Sequence, residues 1–189
     1  MKRAFTLAAL TAGFLSAADI PRPAPKAAFP APAGQTIDVS RHAGKVIALE
    51  FLLTTCPHCQ KTAQILQRMQ DEYGSRGFQV LGVATNTDQP ALVEQFRSQF
   101  GVKFPVGWGA REPVHAYLQH PVMLTMYMPQ LVFIDRTGQI RAQYPGGHAF
   151  FDEMKQPANI RAEIERLLND KGAAAPPAAK PVSRAVVKK

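Results

Sequence analysis

Apolar residues recur along this chain with two different periods, and the points where the period changes mark out its elements. A run interrupted only by Glu50 covers residues 46–53 and has the length and composition of a strand buried on both faces. Beyond Cys56 the period lengthens. Ala63, Leu66, Met69 and Tyr73 fall at helical spacing and end at Gly74, which predicts an amphipathic helix with a glycine stop. A second buried strand is predicted over residues 78–84, after a Ser75-Arg76-Gly77 turn. Pro90 opens another helix, with Leu92, Val93, Phe96 and Phe100 on one face and Gly101 as its end. Strand, helix and strand in that order predict a right-handed crossover between parallel strands.

The remaining pattern is shorter. Thr36 to Val39, followed by Gly44-Lys45, reads as a hairpin-like entry to the first buried strand. Residues 113–119 are expected to form a short helix. Gln130-Leu131-Val132-Phe133-Ile134 follows Pro129 directly and turns at Asp135-Arg136-Thr137-Gly138 into Gln139-Ile140-Arg141. Ile160, Ile164, Leu167 and Leu168 give residues 157–168 the stripe of an amphipathic closing helix. Trp108, between Gly107 and Gly109, reads as a packed anchor. Met123, Leu124, Met126, Tyr127 and Met128 are equally consistent with core packing and with an adaptable apolar surface for flexible partners.

Composition changes this picture mainly at the ends. Met1-Lys2-Arg3, an apolar stretch from Ala4 to Leu15 and the small residues Ser16-Ala17-Ala18 have the three parts of a secretory signal peptide. Residues 1–18 are therefore expected to be a leader, with an uncleaved membrane anchor as the alternative. Residues 19–33 carry five prolines between Pro21 and Pro32 and predict a semi-rigid Pro/Ala-rich linker that packs little. Residues 171–189 are Ala, Pro and Lys without pattern and are expected to be a disordered basic tail. A weak contact of that tail with a membrane or cell wall is the one lipid-facing role it offers. The net charge of +8 is concentrated there: Lys2, Arg3, Lys180, Arg184, Lys188 and Lys189 supply six positive charges. The intervening chain is close to neutral and has no basic face for nucleic acid. Export agrees with disulfide chemistry, because oxidising compartments are where disulfides persist.

The two cysteines are Cys56 and Cys59, spaced C-x-x-C where the first buried strand gives way to a helix. Unpaired N–H groups at a helix start favour a thiolate on the leading sulfur, and such settings lower a cysteine pKa to roughly 3.5–7.5. Cys56 is thus the expected nucleophile and Cys59 the resolving thiol. Pro57 suits the first helical position, and His58 adds a donor or a charge beside the thiolate. Zinc would need further ligands at metal spacing, which His42, His115, His120 and His148 do not provide. Haem attachment would need a histidine where Gln60 stands. A purely structural disulfide over so short a loop would stabilise little.

The Leu-Glu-Phe run and Cys-Pro-His-Cys motif resemble the thioredoxin superfamily. The motif is similar to that of DsbA-type oxidases, and the surrounding chain, from about Gly34 to Leu168, to exported TlpA/ResA-like thioredoxins of the AhpC/TSA-redoxin type. The resemblance implies an α/β thioredoxin-like fold over residues 34–170: a central mixed sheet flanked by helices, with a βα insertion after the first active-site helix. It implies a protein thiol–disulfide oxidoreductase of the cell envelope, with no cofactor beyond the Cys56–Cys59 pair. Its partners would be protein thiols and disulfides and a redox partner in the same compartment. By the same resemblance Glu50, six residues before Cys56, moves the proton of Cys59. Pro129 corresponds to the cis-proline facing the cysteines, and the backbone of Met128 pairs with the substrate chain.

Two positions depart from the family pattern. Thr55 stands where tryptophan usually precedes the first cysteine, and Thr62 where TlpA/ResA relatives often carry glutamate. The histidine between the cysteines implies an oxidising poise, as in DsbA, so the direction of electron flow stays open. A peroxiredoxin would need proline and threonine where Leu49 and Leu53 stand. The alternative function is copper binding and delivery through Cys56, Cys59 and His148, from the softness of the thiolates.

Overall fold

The computed structural model describes residues 18–170. In chain order its strands and helices are β1 (Arg22–Pro23), β2 (Ala28–Pro30), β3 (Thr36–Asp38), β4 (Val46–Leu52), α1 (Pro57–Tyr73), β5 (Phe78–Ala84), α2 (Pro90–Phe100), β6 (Val106–Trp108), α3 (Arg111–Leu118), β7 (Gln130–Ile134), β8 (Gln139–Tyr144) and α4 (Gln156–Asn169). The signal-peptide reading, apart from Ala18, and the disordered-tail reading fall outside the described residues.

The main sheet runs β1-β8-β7-β4-β5-β6. β4, β5 and β6 are parallel, whereas β7 and β8 run antiparallel to their neighbours. This mixed sheet flanked by helices is the predicted architecture, with α2 and β6 following the β4-α1-β5 crossover. Every residue of β4 is buried, because its two faces meet two different cores. Val46, Ala48 and Leu52 pack in one core with Leu66 and Met69 of α1 and Ile160 and Ile164 of α4. Ile47, Leu49 and Phe51 pack in the other with Val114, Tyr117 and Leu118 of α3. A strand so placed has no polar side to spare, which is why the run reads as continuously apolar.

The helix ends follow from local chemistry. Gly101 closes α2 at φ 66° and its N–H donates to Arg97 O. α3 begins at Arg111, two residues earlier than the sequence pattern indicates, and takes Pro113 into its first turn, where a missing N–H has no partner to lose. Trp108 ends β6 and packs against the α1-side core, as expected.

The linker reading of residues 19–33 is corrected by the fold. β1 pairs with β8 and β2 pairs with β3, and Phe29 and Ala31 are buried. Phe29 meets Phe51 edge-on at 5.9 Å and Tyr117 at 6.4 Å. Arg22 is buried as well, donating to Tyr117 O at 3.1 Å and Gln143 Oε1 at 2.8 Å. The proline content indicates low pairing capacity, but a two- or three-residue edge strand tolerates proline, and Phe29 supplies apolar area enough to hold the segment down. Gly107 records the closeness of that packing: a Cβ there would lie 2.3 Å from Pro30 O.

Candidate active site

β4 delivers the chain to the centre of the sheet edge, and four residues later Cys56 caps α1 with extended backbone, followed by Pro57 at the first helical position. Cys56 N–H donates to Leu53 O at 3.1 Å, and Gln60 N–H donates to Cys56 O at 3.0 Å. The amides of His58 and Cys59 therefore lie in the first turn without helical partners and point towards the Cys56 end. The preceding loop is held by side chains. Thr54 N–H donates to Asn86 Oδ1 at 3.0 Å, Asn86 Nδ2 donates to Thr54 Oγ1 at 3.0 Å, and Gln60 Nε2 donates to Thr54 O at 2.9 Å. Behind the helix, Thr62 Oγ1 donates to His58 O at 2.8 Å and accepts from the buried Gln156 Nε2 at 2.7 Å.

The two thiols differ sharply in surroundings. Cys56 is half-buried and Cys59 fully buried, and both are free. Leu53 N–H approaches Cys59 Sγ at 3.5 Å. Burial pushes the Cys59 thiol well above its ordinary range, and the nearby Glu50 carboxyl pushes in the same direction. Glu50 is wholly buried, and neither of its carboxyl oxygens has a hydrogen-bond partner among the described residues. Burial holds its pKa well above the usual carboxylate range, with the Cys56 sulfur adding to the effect. A carboxyl so placed prefers its neutral form, and it shares the core side of β4 with Cys59. The sequence expectation of a buried Glu50 is met.

An open groove of about 350 Å³ has walls that include His58, two residues after Cys56, together with Met128, Pro129, His148 and Phe151. The Met128–Pro129 peptide is cis. His58, Met128 and Pro129, far apart in sequence, thus meet at one place, with Cys56 and Met128 packed on the same core. His148 also reaches the groove. Its Nδ1 accepts Phe150 N–H at 3.0 Å, so the proton of the neutral ring sits on Nε2. No three His, Cys, Asp or Glu side chains among the described residues are grouped to hold a metal ion. Lys61 and Glu153 pair at 3.0 Å on the outer side of α1.

The apolar stretch before Pro129 divides between surface and core: Met123 is 91%, Leu124 50% and Tyr127 65% exposed, whereas Met126 and Met128 are half-buried against the two cores. Sequence patterns miss Asn86, Gln60 and Gln156 as supports of the site. Each is a polar residue whose partner lies on another element or in a loop, and hydrophobic periodicity carries no signal for such contacts. Among the described residues no helix is long and apolar enough to cross a membrane.

Comparison with known proteins gives a consistent result. The Redoxin family profile matches residues 21–153. The chain is 27% identical over 116 residues to the thiol-disulfide oxidoreductase ResA of Halalkalibacterium halodurans, a match covering 60% of this chain and 61% of that protein. It is 26% identical over 156 residues to the glutathione peroxidase-like peroxiredoxin GPX5 of Chlamydomonas reinhardtii, covering 72% and 90%. Among solved structures, a thiol:disulfide interchange protein of the thioredoxin family from Chlorobium tepidum superimposes with TM-score 0.65 at 23% identity, covering 80% of this chain and 99% of that one. That likeness shows a shared thioredoxin-like fold. The chain spans about three fifths of the length of the ResA relative it matches.

Proposed function

The chain belongs to the Redoxin family, and from that premise we propose that it is a protein thiol–disulfide oxidoreductase that exchanges a Cys56–Cys59 disulfide with protein partners. The observation that carries the reading is the pairing of a half-buried Cys56 at the start of α1, two residues before the His58 that lines the groove at Pro129, with a buried Cys59 and an unpartnered Glu50. A peroxidase is disfavoured despite the GPX5 match, because Leu49 and Leu53 occupy the positions where a peroxiredoxin loop carries proline and threonine.

In the reducing direction the Cys56 thiolate attacks one sulfur of a partner disulfide. A new S–S bond forms to Cys56 and the other partner sulfur leaves as a thiolate. Glu50, once it has lost its own proton to solvent, takes the proton of Cys59, and the Cys59 sulfur attacks Cys56, closing the Cys56–Cys59 disulfide and releasing the second partner thiolate. Two electrons pass from the pair to the partner, and the reverse sequence donates a disulfide. Pro57 starts the helix and His58 and the first-turn amides stabilise negative charge on Cys56. Met128 and Pro129 form the wall against which the partner chain lies. The redox-active pair is the whole of the required chemistry, with no other cofactor. From residues 1–18 we place the protein outside the cytoplasm, in the cell envelope, where its partners would be protein thiols and a redox protein of that compartment.

The test is a trapping experiment. Cys59→Ser protein incubated with a disulfide-bonded peptide should accumulate a mixed disulfide through Cys56, stable on non-reducing gels and absent from Cys56→Ser. Equal trapping by both variants, or by neither, would overturn the assignment of roles.

A further inference from the structure

The groove wall formed by Met128 and Pro129 is held by contacts that neither the sequence pattern nor the exchange chemistry requires. Tyr127 O accepts two hydrogen bonds, one from the Gln130 side chain at 2.7 Å and one from Gly146 N–H at 3.1 Å. The first reaches across the Met128–Pro129 peptide from the start of β7, and the second comes from the loop after β8. Between them stands Met128, whose own N–H and C=O enter no hydrogen bond among the described residues. The segment is thus fastened on one side of the position that a partner backbone would need, and the position itself is left open.

Gln130 is an unusual choice for its place. It is fully buried at the head of a strand whose other residues are Leu131, Val132, Phe133 and Ile134. Its Oε1 has no partner among the described residues, so the side chain carries the desolvation cost of an unmet acceptor. An apolar residue would avoid that cost, and the bond from Nε2 to Tyr127 O is what the amide provides in return. Gly146 is equally constrained. A Cβ there would lie 2.6 Å from Tyr127 C and O and 2.7 Å from Met128 C, so only glycine lets the two loops approach closely enough for the second bond.

We infer that Gln130 and Gly146 are positioning residues for partner binding: together they clasp the Tyr127 carbonyl so that the free N–H and C=O of Met128 are presented, already ordered, to an extended segment of the partner polypeptide. A backbone ordered before contact spares the association its ordering cost. The inference rests on the exchange reading above and adds to it which residues set affinity for a polypeptide, as distinct from reactivity of the cysteines.

The full chain is assayed in two half-reactions, oxidation of its dithiol form by a synthetic peptide with one disulfide and reduction of its disulfide form by dithiothreitol, which is too small to span Cys56 and Met128 and which recycles the protein during peptide turnover. Gln130→Leu removes the donor and the unmet acceptor together. It is expected to raise KM for the peptide about three- to tenfold, the worth of one neutral hydrogen bond, while kcat and the dithiothreitol rate stay within twofold. Gly146→Ala, which displaces the same carbonyl by a different route, should raise the peptide KM in the same way. It carries the test should Gln130→Leu fail a thermal melt. A peptide KM within twofold of wild type in the folded variants, or a parallel fall in the dithiothreitol rate, overturns the clasp while leaving exchange intact. A wild-type protein that exchanges with neither partner would remove the exchange reading and the clasp with it.

Discussion

Replacing Glu50 with glutamine removes an ionisable group from the fully buried face of β4 and should change how stability depends on pH. The folded-state pKa of Glu50 is raised by burial, so between the unfolded value, near 4.3, and the folded one the native chain holds a proton that the unfolded chain has lost. Stability therefore falls as pH rises through that window, by up to about 1.4 kcal/mol per pH unit for this one group. Glutamine has no such proton to lose. The stability of Glu50→Gln relative to wild type should thus grow with pH from about pH 5 upward, level off once the folded-state pKa is passed, and disappear below the unfolded pKa. For a domain of this size the corresponding gap in Tm opens by roughly 3–6 °C per pH unit. Thermal or urea melts of both proteins in the dithiol form, at half-unit steps from pH 4 to 8, measure the difference directly. Parallel profiles, or a wild type that gains on the variant as pH rises, would refute the placement of Glu50 as a buried carboxyl that prefers its neutral form.

Other expectations concern the same framework. On the proposed role of Glu50 in taking the Cys59 proton, Glu50→Gln should also lengthen the lifetime of the mixed disulfide at neutral pH, seen by acid quench and mass spectrometry, while initial attack by Cys56 is much less affected. Phe29→Ala should cost about 3–5 kcal/mol by urea denaturation, since Phe29 is buried against Phe51 and Tyr117; a cost under ~1 kcal/mol, as for an exposed residue, would return residues 19–33 to linker status. Gln156→Leu removes the donor to Thr62 but leaves the bond from Thr62 to His58 O, so a loss of about 1 kcal/mol is expected in the same assay.

The parts of the fold that were legible in the sequence are those where one residue type answers one local demand. The run around Glu50, the Gly74 and Gly101 stops and the Asp135-to-Gly138 turn all state their structure within a few residues, and the elements follow them closely. The active-site cysteines belong with these, since a strand, a short loop and Pro57 place them without help from elsewhere. The stretch from Pro21 to Pro32 was not legible, because its composition describes a chain that cannot pair well. What decides its position is the aromatic contact of Phe29 with residues in β4 and α3. The supports of the site were hidden for a related reason. Asn86 on Thr54, Gln156 on Thr62 and Gln130 on Tyr127 are isolated polar contacts of one or two hydrogen bonds, and only Glu50, lone in an apolar run, announces itself. His148 was legible as a residue and not as a role: its Nδ1 is taken up by Phe150 N–H.

The redox equilibrium of the purified protein against glutathione buffers, with thiols trapped and counted, tests disulfide exchange most directly. The expected result is one two-electron transition in which Cys56 and Cys59 are lost and regained together, with a tenfold change in their oxidised-to-reduced ratio for about 30 mV. A midpoint near about −120 to −180 mV would mark a disulfide donor and one near or below about −250 mV a reductase. Thiols that remain free across the whole range, or that oxidise one at a time to glutathione adducts without closing a disulfide, would contradict it.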